Sequence, residues 1–138
     1  MPGKFLHQYE IMFNKATADL TLSFYALALE DKAIDMDIIF FHLQQAAEKY
    51  LKCLLSFHGV HYEKIHDIKR LLGLCLSNEV VVPAYVEKLV ELNPYAVEGR
   101  YAVVADDMAE ADVYVELLNK FKLFVAGVID IPEQRVDA

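Results

Sequence analysis

The sequence predicts an all-α fold, an up-and-down four-helix bundle with an additional short helix. Three observations predict it. Apolar residues recur at helical spacing along most of the 138 residues. The valine runs that could suggest strands, Val80–Val82 and Val103–Val104, are too short to demand a sheet. Helix-stopping residues such as Gly59, Pro83, Pro94 and Pro132 fall between or beyond the periodic segments. The length suits a single domain, with a core from about residue 9 to 127 and short tails at both ends. A chain of this size buries enough surface to fold without disulfides or metals.

The first helix is expected from about Tyr9 to Asp31, with Ala16, Leu20, Phe24 and Leu27 on its buried face. Asp35 or Asp37 can start a second helix that runs to His58, and Gly59 suits the position just past its end. A short connection leads to a third helix that opens at His66 and Asp67. Ile68, Leu71, Leu72 and Cys75 form its apolar stripe. Ser77–Val82 reads as a loop. Pro83 suits the first turn of a fourth helix, whose face is Tyr85, Leu89 and Leu92 and whose end falls at Asn93 and Pro94. Tyr95–Ala105 reads as irregular or as a short turn. The last helix is expected from Asp106 or Asp107 to about Ala126, buried through Met108, Ala111, Val115, Leu118, Phe121 and Val125, with Gly127 near its end.

Composition narrows the function. The formal charge is −8, from 21 acidic and 13 basic residues. That argues against broad non-specific nucleic-acid binding, which needs clustered cations to neutralise phosphates. A small local basic pocket remains compatible, built from Lys49, Lys52, Lys64, Lys69, Arg70 and Arg100. Apolar residues make up 56% of the chain, an excess that a dimer interface could cover. No apolar run reaches membrane-span length, and the opening MPGKFLHQYE does not read as a signal peptide. Cys53 and Cys75 lie inside apolar periodic segments and read as small core residues in a reducing compartment, so a cytoplasmic location is expected. His42, His58 and His61 have no partners at zinc spacing, and five glycines form no phosphate-binding loop, so neither metal nor cofactor is expected.

The second helix is the most informative segment. Gln45, Glu48, Lys49 and Lys52 fall at i, i+3, i+4 and i+7 and so share one stripe beside Phe40, Leu43, Ala47, Tyr50, Leu51 and Leu54. The stripe is either a solvated face with helical ion pairs or a polar ridge offered to a partner.

Four segments together carry a family resemblance: ADL (Ala18–Leu20), FHLQQAAEKYLKCLL (Phe41–Leu55), HDIKRLL (His66–Leu72) and LNPYAVEGRY (Leu92–Tyr101). Their order and spacing resemble the HEPN domain over nearly the whole chain. The resemblance implies a helical bundle, a homodimer, and for many members a minimal nucleotidyltransferase partner in a toxin–antitoxin pair. Many members are metal-independent ribonucleases marked by an arginine followed, after four to six residues, by a histidine. This chain departs from that signature. Arg70 is followed there by Cys75, Leu76 and Ser77, and Arg100 by Ala105, Asp106 and Asp107. A second departure is Ile65, where family members commonly carry Thr or Ser before the histidine–aspartate pair. The arginine–tyrosine pair Arg100–Tyr101 resembles the branch linked to nucleotide binding and nucleotidyltransferase partners.

The candidate ligand-binding residues are therefore Gln45, Glu48, Lys49, Lys52, His66, Asp67, Arg100 and Tyr101, with no catalytic or metal residue named. His66 and Asp67 either meet an anion at a helix N-terminus or serve as a cap and a buried histidine hydrogen bond. Arg100 either forks onto a phosphate or pairs with Glu48 or Glu98. Tyr95 and Tyr101 either stack on a base or close the core. The leading expectation is a nucleotide-binding and interaction module, a homodimer partnered with a minimal nucleotidyltransferase. The alternative is a ribonuclease toxin with a rearranged active site.

Overall fold

Helix α1, Gln8–Leu29, opens where the backbone N–H of His7 donates to Glu10 Oε1 at 2.8 Å, a reciprocal tie typical of a capped start. Its buried face is Phe13, Ala16, Leu20, Ser23 and Leu27, alternating steps of three and four. The expectation that Phe24 is buried is corrected: it is 51% exposed, because it lies about 100° around the helix from Ser23. Ser23 can occupy the apolar face because its hydroxyl donates to the Asp19 carbonyl at 2.9 Å. The structure is a computed structural model and describes residues 7–96 and 108–130.

Helix α2, Met36–Phe57, is capped by Asp35, whose carboxylate accepts from the Asp37 N–H at 3.0 Å. It packs against every other element described. Accordingly it is buried almost all round, and every residue from Tyr50 to Leu55 is inside. Gly59 ends it as the sequence led one to expect. At φ +72° it lets Val60 N–H reach the Leu55 carbonyl (2.9 Å) and its own N–H reach Ser56 (3.1 Å), a Schellman closure.

Helix α3, Ile68–Ser77, is short and buries Ile68, Leu71 and Cys75. It closes in the same way, with Val80 N–H on the Cys75 carbonyl at 2.8 Å. Here Glu79, not a glycine, takes the left-handed conformation at φ 58°. The segment expected as a fourth α-helix is a 3-10 helix, Ala84–Tyr95, with Pro83 as its cap and Pro94 inside it. Its buried residues are Val86, Leu89, Leu92 and Tyr95, one every third position. That period matches the three residues per turn of a 3-10 helix, so all four line up on one stripe against the core. Tyr95 stacks on Phe40 at 4.7 Å between ring centroids, and the helix runs one residue past its expected end at Pro94.

Helix α4, Met108–Ile129, buries Ala111, Val115, Leu118, Phe121 and Val125 as expected, and continues through Gly127; the side chain of Met108, the remaining residue of the expected set, lies outside those described. Burial of Ile129, four residues after Val125, outweighs the roughly 1 kcal/mol that an interior glycine costs. Among the described residues there is no strand, so the all-helical expectation holds. No helix described is long and apolar enough to cross a membrane. An aromatic ladder, Phe13–Tyr50–Phe121, joins α1, α2 and α4 at 5.6 and 5.9 Å. The Tyr50 hydroxyl at its centre is hydrogen-bonded to Thr17 Oγ1 at 2.8 Å.

Candidate functional site

The polar stripe of α2 resolves into two networks, each centred on one carboxylate. The deeper centre is Glu48, whose side chain is 2% exposed. Its Oε2 accepts from Lys52 Nζ at 2.9 Å and lies 3.0 Å from His66 Nδ1; its Oε1 accepts from Gln44 Nε2 at 3.0 Å. Gln44 Oε1 in turn accepts from Gln45 Nε2 at 2.7 Å. Helix geometry explains the local half, since Gln44, Glu48 and Lys52 are spaced by four and rise on one face. The connection before α3 supplies His66 from outside the helix.

Asp19 of α1 is the second centre. Its Oδ1 lies 2.9 Å from His42 Nδ1 and its Oδ2 accepts from Lys49 Nζ at 2.6 Å. Both centres thus have the same composition: one carboxylate, one lysine and one histidine. The first ties α2 to the entry of α3, and the second ties α1 to α2. No described buried side-chain nitrogen or oxygen lacks a partner, which is what a low-dielectric interior demands of polar groups.

Asp67 is the cap of α3. Its Oδ1 accepts from the N–H groups of Lys69 (2.9 Å) and Arg70 (3.3 Å) and from Asn93 Nδ2 (2.9 Å). Asn93 Oδ1 accepts the Ile68 N–H at 2.9 Å. The first N–H groups of α3 are therefore already engaged, and a negative carboxylate sits among them. Of the two readings kept for His66 and Asp67, the structure builds the cap and a histidine hydrogen bond, but His66 is exposed rather than buried.

The expected residues thus divide. Glu48, Lys52 and His66 come together, with Gln45 linked through Gln44. Lys49 turns to Asp19 instead, and Asp67 faces the α3 backbone. Arg100 and Tyr101, and with them the proposed Glu48–Arg100 pairing, lie outside the described residues. Tyr95 closes the core. Sequence reading assigned no site role to Asp19, His42 and Asn93, and left Gln44 among the polar residues of the second helix without a place in the site. Asp19 lies in the ADL segment that carried the resemblance, and His42 lies seven residues before Lys49, on the same face.

Among the described residues His66 is the most exposed member of the Glu48 centre, at 64%. With Nδ1 committed to the carboxylate, Nε2 is left to meet water or a ligand, an arrangement that fixes the ring's orientation. Next to it, Lys52 Nζ lies 5.8 Å from the centroid of the Tyr62 ring. Desolvation raises the Tyr62 hydroxyl above its ordinary range, and a Gln8 hydrogen bond partly opposes this. Among the described residues no group of three His, Cys, Asp or Glu is placed to hold a metal ion.

With this geometry in hand, the comparisons with known proteins are informative. The profile of the HEPN domain matches residues 9–128. The chain belongs to the HEPN family. The crystal structure of an archaeal HEPN homologue is similar at a TM-score of 0.65 and 22% identity, covering 90% of this chain and 99% of that one. At that identity the likeness speaks for the HEPN fold alone. No curated protein matches the chain.

Proposed function

We propose that this HEPN domain is a nucleotide-binding and interaction module that acts as a homodimer and partners a minimal nucleotidyltransferase in a toxin–antitoxin-type pair in the cytoplasm. The observation that carries this reading is the outer face of α1. Leu22, Tyr25 and Leu29, at i, i+3 and i+7, are 52%, 62% and 69% exposed, and Phe24 lies edge-on to Tyr25 at 5.4 Å. Single exposed apolar residues are ordinary, but a row of three on one helix, with Phe24 exposed beside it, is costly to leave in water and suits a protein partner. Membership of the HEPN family and the Arg100–Tyr101 pair support the nucleotide and nucleotidyltransferase elements of the reading. Sedimentation at micromolar concentration should give a dimer, and Leu29→Asp should shift it towards monomer. A wild-type monomer would remove the dimer. Co-expression with a minimal nucleotidyltransferase should retain both chains through purification, and Tyr25→Asp measures whether the same face holds it.

A second reading, a ribonuclease with a rearranged active site, draws on the Glu48–His66 contact. A histidine oriented by a buried carboxylate with its second nitrogen towards solvent has the form of a general base. Purified protein that cuts RNA, and loses this on His66→Ala with its fold intact, would put this reading first.

A further inference from the structure

Two of the cations that the sequence nominates for anion binding, Lys49 and Lys52, are occupied. Asp19 holds Lys49 and Glu48 holds Lys52, each within hydrogen-bond distance. An ammonium paired in this way offers a phosphate little net charge. Lys64 and Arg70, by contrast, form no ion pair among the described residues. Both are exposed, in a chain whose net charge of −8 offers many acids to pair with.

These two free cations line one cleft of about 350 Å3 between the α2–α3 connection and α3, together with His61 and Tyr62. Glu63 also lines it and brings one negative charge. His61 and Tyr62 are walls of a second cleft too, of about 510 Å3, whose other lining residues include Gln8 and Ser56 and none that is charged. The pair therefore offers a cationic compartment, a neutral compartment with hydrogen-bonding side chains, and a shared aromatic wall. The sizes fall within the range of small-molecule sites. One ligand class has that division of chemistry: an anionic chain joined to a neutral, planar, hydrogen-bonding group.

We propose that the two clefts form a nucleoside polyphosphate site, with Lys64 and Arg70 on the phosphates and the neutral cleft receiving the base and sugar beyond Tyr62. This rests on the nucleotide-binding reading above and moves its phosphate contacts from Lys49 and Lys52 to the α2–α3 connection. Arg70 supplies the forked donor that phosphate oxygens accept, and Lys64 a mobile point charge. The N-terminus of α3 takes no part, because Asp67 and Asn93 occupy its N–H groups.

Calorimetric titration of ATP into the full chain, at low and at physiological salt, tests the site. Wild type should bind ATP more weakly as salt rises. Lys64→Ala with Arg70→Ala should lower the affinity at least tenfold, while Lys15→Ala, at a residue that lines neither cleft, should leave it unchanged. Tripolyphosphate should compete with ATP, and adenosine should bind more weakly than ATP. In NMR spectra ATP should shift the His61 ring resonances. ATP binding that the double variant leaves intact overturns the cleft assignment and spares the nucleotide reading. No ATP binding by wild type at low salt overturns both.

Discussion

Replacing Glu48 by Gln tests the deeper polar centre. The substitution keeps the shape and the contact to Gln44 but removes the charge that Lys52 and His66 share. Lys52, at 10% side-chain exposure, then holds an unpaired ammonium within the protein. Breaking a buried pair from one side costs about 3–5 kcal/mol. The Tyr62 ring near Lys52 Nζ softens the loss, so the lower end is expected, about 3 kcal/mol. For a domain of this size that lowers the Tm by roughly 10 °C. His66 adds little to the penalty, since water can replace its exposed side. Replacing both partners, Glu48→Met with Lys52→Met, should recover most of the loss, because a buried ion pair and an apolar pair of similar volume are often close in stability. Urea unfolding of Glu48→Met, Lys52→Met and the double variant, with the m-value held constant, gives the coupling directly. A Glu48→Gln variant within about 0.5 kcal/mol of wild type would refute the reasoning, since that is the scatter expected of surface substitutions. So would strict additivity of the two single changes.

Asn93→Ala should destabilise by about 1–2 kcal/mol, because it frees the buried-side N–H of Ile68 and one contact of the Asp67 cap; chemical denaturation and amide exchange at Ile68 read it. Glu79→Gly should stabilise by up to about 1 kcal/mol, as the left-handed conformation at φ 58° strains any residue with a Cβ, and a lowered denaturation midpoint would overturn this. Burial pushes the Cys53 and Cys75 thiols from an ordinary 9.0 up to about 12. A raised folded-state value means that this contribution is complete below about pH 9 and is lost as pH climbs towards 12, so stability should decline over that window. In the native state at pH 8 neither thiol should react with a disulfide reagent, and both should react in denaturant.

What was legible in the sequence was whatever depends on local periodicity. The three 22-residue helices came from apolar spacing, and Gly59 ended α2 because only one backbone conformation suits that closure. The first miss, Phe24, shows the limit of the method. Ala16, Leu20, Phe24 and Leu27 satisfy helical spacing as well as the observed set does; the rotation at which α1 docks puts Ser23 inside, and the Asp19 carbonyl then satisfies its hydroxyl. The second miss was readable: Val86, Leu89, Leu92 and Tyr95 repeat every three residues, a period that belongs to a 3-10 helix. For the site, spacing grouped Glu48 with Lys52 correctly, since four residues is one turn. It also grouped Lys49 with them, because nothing along α2 reveals that Asp19 waits on a different helix. Long-range partners such as His66 on Glu48, or Asn93 on Ile68, depend on how helices dock, which no local pattern encodes.

The placement of Lys52 four residues after Glu48 has a consequence for how the chain folds. The two groups meet as soon as that turn of α2 winds, on the microsecond or faster scale of helix formation, while water still surrounds both. When the rest of the chain packs against α2, it encloses a pair that is already neutral, and a lone charge need never be dehydrated on that route. His66, eighteen residues from Glu48, arrives only after the connecting loop has ordered. Within this centre the two separations set the order of events: the ammonium first, the imidazole after it.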